Sequence, residues 1–507
     1  MSAEDAGRGR LALVLVAVAL LGTATAIGAA GGPAPVLPGA SLVAAALVLA
    51  ASAGARIPLG PRAAAAVAGV ALLAHPLVAA LIVRPPLLEP IVLAAPGLAA
   101  VALALALRAS DDGVRGLALL AIAASVAVVD RHLLVASRGL APDDVAALAC
   151  AGVAAGAALG PARPPRWALS LSIALAMAAY ALAGIALIAG TPYHSDGVVA
   201  QHRAAELLIA GQHPYATFDM IEALGRFGLP ASLATNFEDG SVLRSFNYPA
   251  LAFLVPAPFV ALGLHDLRWL WLAETLGFAL LISVVLAGDR RAWGVAALVA
   301  STAVARQFVA AGVDPTWALM TAVAFVFIDR PAVSPLAMGI AIASRQPAWA
   351  IAPFFALALW RRSGRAAALR GVALMAAVAL APQLPFLVLD PGATLTGIAA
   401  PIVGPLEPHG IGLVGLALAG ALPILPRGVY AALAIGAAAA GAWVATRRGG
   451  PSPAMAIALP LAALLLAWRA LLSYVAFLPV LALLAADARR IEATRLGRET
   501  EVSRGRR

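Results

Sequence analysis

The stretch TPYHSDGVVAQHRAAELLIAGQHPYATFD (191–219) places three histidines, two aspartates, a glutamate and an arginine between long apolar runs. Such a group offers carboxylates that accept protons and imidazoles that shuttle protons or bind metal. Ser195 reads as an N-cap, with Asp196 in the first turn of a helix running to about Ala210 and Gly211 as its stop. An aspartate there is favoured as an anion by the helix dipole. It is a preformed carboxylate, although the same residue also serves simply to stabilise the helix. His194, His202 and His213 are separated by eight and eleven residues, which is not a ligand signature, and no metal site is expected from them. Arg203 and Glu206 are expected to face water or lipid headgroups.

Composition decides what surrounds these groups. Of 507 residues, 62% are hydrophobic and 12% charged, where soluble domains are roughly half apolar and about one quarter charged. Apolar runs of about twenty residues recur along almost the whole chain, each long enough to cross a bilayer as a helix. The expected fold is an all-α polytopic membrane protein. A net charge of +10 does not point to nucleic acid, because the basic residues, all arginine, lie in short clusters between apolar runs. The abundance of alanine and the lack of lysine read as a GC-rich genome's codon bias. The single cysteine, Cys150, sits in an apolar run and excludes a disulfide framework or metal–thiolate site. The first apolar run, after MSAEDAGRGR, reads as an uncleaved helix because further spans follow.

Arginine placement sets the topology, since cytoplasmic loops retain positive charge. Arg8 and Arg10 put the N-terminus (1–10) inside, and seven spans follow at roughly 11–29, 36–54, 63–83, 90–107, 114–129, 143–160 and 167–190. Seven crossings leave 191–219 outside. The apolar run at 248–264 carries three prolines and is expected to lie in or dip into the outer interface, so that the outer loop covers 191–268. Further spans are expected near 269–288, 293–309, 314–329, 335–346, 347–360 and 366–388, then 428–445, 452–469 and 472–488. The two short halves around SRQP (344–347) suggest a broken helix, tolerated at membrane depth only where it lines a cavity. The segment GIGLVGLALAGALPIL is expected not to span. The tail 489–507 is arginine-rich and is expected to meet cytoplasmic lipid headgroups.

Asp196 after a span, a short helix, the G-x-x-P-Y of Gly211, Pro214 and Tyr215, and Tyr248-Pro249 opening an interfacial run together resemble the integral-membrane GT-C glycosyltransferases. The likeness is greatest to glycosyltransferase family 87, the polyprenyl-phosphate-mannose-dependent mannosyltransferases. SRQP (344–347) and W-R-x-L-L-S-Y (468–474) also fit, and the likeness covers about 167–488. NYPAL stands where tyrosine–proline–proline is usual, Arg345 where a lysine is common, and six extra spans precede the family-like region.

The resemblance implies a GT-C-like helical bundle. An N-terminal transmembrane extension (11–166) precedes a catalytic core (167–390), followed by a C-terminal transmembrane region (391–488). It implies transfer of mannose or another monosaccharide from a polyprenyl-phosphate donor to a hydroxyl of a glycan or glycolipid acceptor, on the outer face of a bacterial plasma membrane. The attack needs a carboxylate to take the hydroxyl proton, and Asp196 is the expected general base. The leaving phosphate needs cations in a water-poor site. Arg345, Arg306, Arg244 and Arg469, with Tyr474, are the expected phosphate ligands. His194, Gln201, Tyr215, Tyr248, Asp314, Gln346, Glu407 and His409 are expected to line the substrate side. No cofactor is firmly implied, and a divalent metal is compatible with the chemistry. For an outward arginine at a helix end the plain alternative is snorkelling to headgroups. Asp314 in VDPTW has an equal alternative as a helix cap before proline. Glu274, a carboxylate within a span, is normally a functional flag, or else a hydrogen-bonding partner for a neighbouring helix. Two other functions compete, a transporter or lipid flippase and a non-catalytic membrane assembly partner. A transporter predicts paired broken helices with mid-membrane charges, whereas here polar groups concentrate in one outer loop.

Overall fold

The computed structural model describes residues 166–190, 192–286, 312–410, 413–418, 422–447 and 453–475, with single positions at 291, 295, 477, 481 and 484. The expected N-terminal extension, the span at 293–309, the tail and the candidate Arg306 lie outside the described residues.

What is described is 70% helical, with almost no strand. The helices are α1 (Arg166–Gly190), α2 (Asp196–Ile209), α3 (Pro214–Thr217), α4 (Met220–Arg226), α5 (Leu251–Leu254), α6 (Ala257–Ala261) and α7 (Arg268–Val285). They continue with α8 (Thr316–Val326), α9 (Val333–Ser344), α10 (Pro347–Leu380), α11 (Leu384–Leu389) and α12 (Pro391–Val403). The last are α13 (Leu413–Leu418), α14 (Arg427–Arg447), α15 (Pro453–Leu464) and α16 (Leu472–Val475). Two of these, α7 and α10, are long and apolar enough to cross a membrane.

The chain divides into two compact units. One comprises the described residues within 184–277 and 305–409, and the other those within 166–183, 278–304 and 410–484. The first holds the polar stretch that opened the sequence. Its core is aromatic and aliphatic, with Tyr215, Phe246, Phe253, Trp271 and Phe386 buried among residues of α2. Tyr215 meets Phe246, Phe253 and Phe386 edge-on, at centroid distances of 5.4, 5.8 and 5.7 Å. In the second unit α14 packs on α15, where the Cβ position of Gly441 lies 3.3 Å from Leu459. Tyr430 and Trp468 meet there at 5.2 Å.

Helix α2 starts and stops where its caps require. Ser195 Oγ accepts the Gly197 N–H at 3.0 Å, and Gly211 takes φ +72°, a left-handed conformation that only glycine adopts without strain. The helix break expected at SRQP is present: α9 ends at Ser344, Arg345 is extended (φ −158°, ψ 146°), and α10 begins at Pro347. Pro347 has no N–H to donate to the Ala343 carbonyl, and its ring would clash with that carbonyl in a continuous helix; Gln346 itself is helical (φ −60°, ψ −32°), so the break falls at Arg345.

One expectation changes. The run 248–264 is not one interfacial helix. It forms two single turns, α5 and α6, because Pro256 and Pro258 interrupt the hydrogen-bond ladder. The RRSGR stretch divides α10 into two helices as expected: Gly364 is non-helical at φ 79° and ψ 169°, and the Cβ position of Gly371 lies 3.2 Å from Leu359, so the two halves fold back on each other. Among the described residues, GIGLVGLALAGALPIL contributes only the six-residue α13, too short to span.

Candidate functional site

Asp196 occupies the first position of α2 and is half-buried. Its Oδ2 accepts two bonds from one residue, the Thr235 N–H at 3.1 Å and hydroxyl at 2.8 Å. No hydrogen bond from a described residue reaches Oδ1. One oxygen thus anchors the carboxylate. Thr235 is itself held, its carbonyl accepting the Leu243 N–H at 2.9 Å. The adjoining Asn236 carbonyl accepts the Glu407 N–H at 3.0 Å, which brings the GPLEPHG loop beside the Asp196 clamp.

Beside Asp196 stands a buried cation. Arg345 is only 6% exposed, and its guanidinium lies 4.8 Å from the centroid of the Tyr248 ring, a cation–π arrangement. The space a Cβ on Gly197 would fill lies 3.0 Å from Tyr248 OH and 3.5 Å from Arg345 Nη2. The N-terminus of α2, the phenol and the guanidinium therefore converge, and glycine at 197 keeps that space open. Arg345 Nη1 is buried and has no hydrogen-bond partner among the described residues. Arginine carries five N–H donors, and leaving a buried charged donor unpaired is costly.

The NYPA segment (247–250) is the hub that sets this geometry. Gln346 Nε2 donates to the Asn247 carbonyl at 2.7 Å. Tyr215 OH donates to the Tyr248 carbonyl at 2.8 Å. Gln383 Oε1 accepts the Ala250 N–H at 3.0 Å. Three distant segments thus fix the backbone on which Tyr248 is mounted. Tyr215 is 3% exposed, and its burial raises the phenol's pKa well above the usual value. The hydroxyl stays protonated as a donor. Tyr215 and Gln346 thus act as supports under the site, a different role from the substrate contact expected of them.

A second polar layer involves Asp314, 1% exposed. Its Oδ1 accepts the Thr316 N–H at 2.8 Å, and the Thr316 hydroxyl donates to the Glu274 carboxylate at 2.8 Å. The capping alternative holds in modified form, since Asp314 sits one residue before Pro315, which the helix start uses as its cap. Gln201 is 0% exposed, with neither amide atom hydrogen-bonded among the described residues. Its burial on α2 puts it inside the unit, on the same face as Val198 one turn earlier.

The remaining candidates differ in exposure and partners. Arg244 forms an ion pair with Asp219 at 3.1 Å and its side chain is 65% exposed. His194 and His409 are exposed, and Glu407 is half-buried. Arg469 and Tyr474 belong to the second unit and are half-buried there. His213 caps α3 through Nδ1, accepting the Ala216 N–H at 3.3 Å, and its Nε2 meets the Phe386 carbonyl at 3.1 Å. His202 is buried at 2.9 Å from Tyr193 OH. Glu206 joins Arg203 and Arg226 at 3.1 and 2.8 Å, so this pair does not simply face solvent. Among the described residues no group of three His, Cys, Asp or Glu side chains is placed to hold a metal ion.

Thr235, Gln383 and Thr316 were not anticipated. Thr235 lies in SLATNFEDG, which carries no signature. Gln383, alone in LAPQLPF between apolar residues, is a signal that a closer reading for isolated polar groups would have found. No protein-family model, curated protein or solved structure matches this chain.

Proposed function

We propose that the chain is a membrane glycosyltransferase, moving a monosaccharide from a polyprenyl-phosphate donor to an acceptor hydroxyl at the outer face of a bacterial plasma membrane. The observation that carries this reading is the pairing of opposite charges at one place. A clamped, half-exposed carboxylate begins α2, and beside the same helix end lies a buried guanidinium with an unpartnered donor. A base for an alcohol and a seat for a leaving phosphate are the two groups such a transfer requires.

In the reaction, Asp196 accepts the acceptor's hydroxyl proton as the oxygen bonds the anomeric carbon. The bond from that carbon to the phosphate oxygen breaks, and the phosphate leaves with the electron pair. Arg345 and Tyr248 OH stabilise the charge that develops on it, in surroundings where water competes weakly. Thr235 holds the base without occupying both its oxygens.

The test is transfer of labelled sugar from a polyprenyl-phosphate sugar by the full chain in lipid. Asp196→Asn is expected to lower turnover by about a hundredfold or more, with expression and detergent stability unchanged. Turnover like that of the wild type would remove Asp196 as the base.

A further inference from the structure

The buried guanidinium raises a second question: what neutralises it before substrate arrives. Arg345 makes no hydrogen bond that would identify a partner, and Tyr248 offers only its ring face. Besides Asp196, the fold brings a second carboxylate close by two independent routes. Helices α8 and α9 form a hairpin joined by residues 327–332, and near its turn the Ser334 hydroxyl donates to the Ala324 carbonyl at 2.8 Å. An antiparallel pair closed at that end puts Asp314, two residues before α8, at the same end as Arg345, the residue after α9. The second route runs through α2. Gly312, at φ +71°, is packed so closely on Val198 that a Cβ would lie 2.9 Å from it, while Arg345 approaches the neighbouring Gly197. Both segments therefore abut the first turn of α2.

We propose that Asp314 is the resident counter-ion of Arg345, holding the guanidinium charge in the empty site and competing with the phosphate that replaces it. The idea rests on the glycosyltransferase reading and deepens it. Asp314 is too buried to meet a soluble acceptor. Thr316 fixes its carboxylate through the backbone N–H, and Glu274 fixes Thr316 through its hydroxyl. The titratable groups facing Asp314 are Arg345 and Glu274, the latter on α7.

A resident anion weakens a visiting one at the same cation. It keeps the guanidinium from holding the product phosphate too tightly and so favours release. Asp314 is in this sense a positioning residue, acting through Arg345. Its removal has a signature that structural damage does not share: binding becomes tighter while turnover falls.

The experiment uses the full chain in lipid nanodiscs, with a long-chain polyprenyl phosphate as the probe and inorganic phosphate as a competitor. Asp314→Asn is expected to lower the Kd for polyprenyl phosphate about tenfold, and to lower both donor KM and kcat. Asp314→Glu is expected to restore wild-type values. Asp314→Ser, also neutral, serves if the Asn variant does not fold. Arg345→Ala is expected to lose polyprenyl phosphate binding. Inorganic phosphate should compete only weakly, since the lipid tail supplies much of the binding; equal competition would assign the seat to free phosphate. If Arg345→Ala loses binding while Asp314→Asn and Asp314→Ser bind no more tightly than wild type, the counter-ion role is overturned and the phosphate seat stands. If Arg345→Ala binds polyprenyl phosphate unchanged, the glycosyltransferase reading loses its seat and the counter-ion falls with it.

Discussion

At the scale of single residues, the chemistry depends on how few atoms hold each charge. Asp196 is steadied by one side chain, and the Thr235 hydroxyl supplies the shorter of the two bonds. Thr235→Val keeps the backbone donor and deletes that hydroxyl, so kcat is expected to fall about tenfold, in line with the 1.5–3 kcal/mol typical of hydrogen bonds to charged groups, while donor KM changes little. Unchanged turnover in a steady-state assay would show that the carboxylate does not need the clamp. Tyr248 separates ring from hydroxyl. Tyr248→Phe preserves the face beneath Arg345, whereas Tyr248→Leu removes it. The leucine variant is expected to raise donor KM a further threefold or more over the phenylalanine variant, since a cation–π contact contributes about 0.5–2 kcal/mol. Equal KM values for the two variants would assign no weight to the ring.

At the scale of elements, α2 carries the base and must stay seated for the site to exist. Its outer part is tied by two titrating groups. Burial lowers the proton affinity of His202 below the usual 6.5, and the neutral imidazole sits against Tyr193 OH. Burial by itself would raise the Glu206 pKa, but bonds from Arg226 and Arg203 outweigh it and hold it below the usual 4.5. In both cases the unfolded chain binds protons more readily than the native one. Stability is therefore fully present at neutral pH, falls as pH drops below 6.5 through the His202 range, and falls again below 4.5 through the Glu206 range. The thermal midpoint of the detergent-solubilised protein is expected to decline from about pH 7 to about pH 5, and His202→Gln is expected to flatten that decline. A decline equally steep in the variant would place its origin elsewhere. Helix α12 depends on a close approach instead: a Cβ on Gly397 would stand 2.4 Å from the Phe246 carbonyl oxygen. Gly397→Ala is expected to cost about 1–3 kcal/mol as overpacking, seen as a lower thermal midpoint. The segment displaced is the one leading into NYPA, so donor affinity should weaken as well.

At the scale of the whole molecule, the proposal stands on sidedness. The histidine next to the base, His194, is exposed, and a cysteine there reports which compartment it faces. In a Cys150→Ala background, His194→Cys is expected to react with a membrane-impermeant maleimide in intact cells. Labelling seen only after permeabilisation would put the carboxylate on the cytoplasmic side and exclude an outward-facing transferase.

The sequence by itself determined what depends on local pattern. Apolar runs marked helices, Ser195 and Gly211 bounded α2, and Pro347 broke the helix at Arg345, because caps and prolines act within a few residues of themselves. It also isolated Asp196 and Arg345 as charges worth explaining. Only the tertiary structure decided that these two share a helix end, that Thr235 clamps one and Tyr248 underlies the other, and that Tyr215, Gln346 and Gln383 serve the NYPA backbone. The hydrogen-bonded pairings join residues 33 to 133 positions apart, and no local periodicity encodes them. They follow from burial, which makes an unpaired polar atom costly and so draws most of those inside the unit into hydrogen bonds between distant segments.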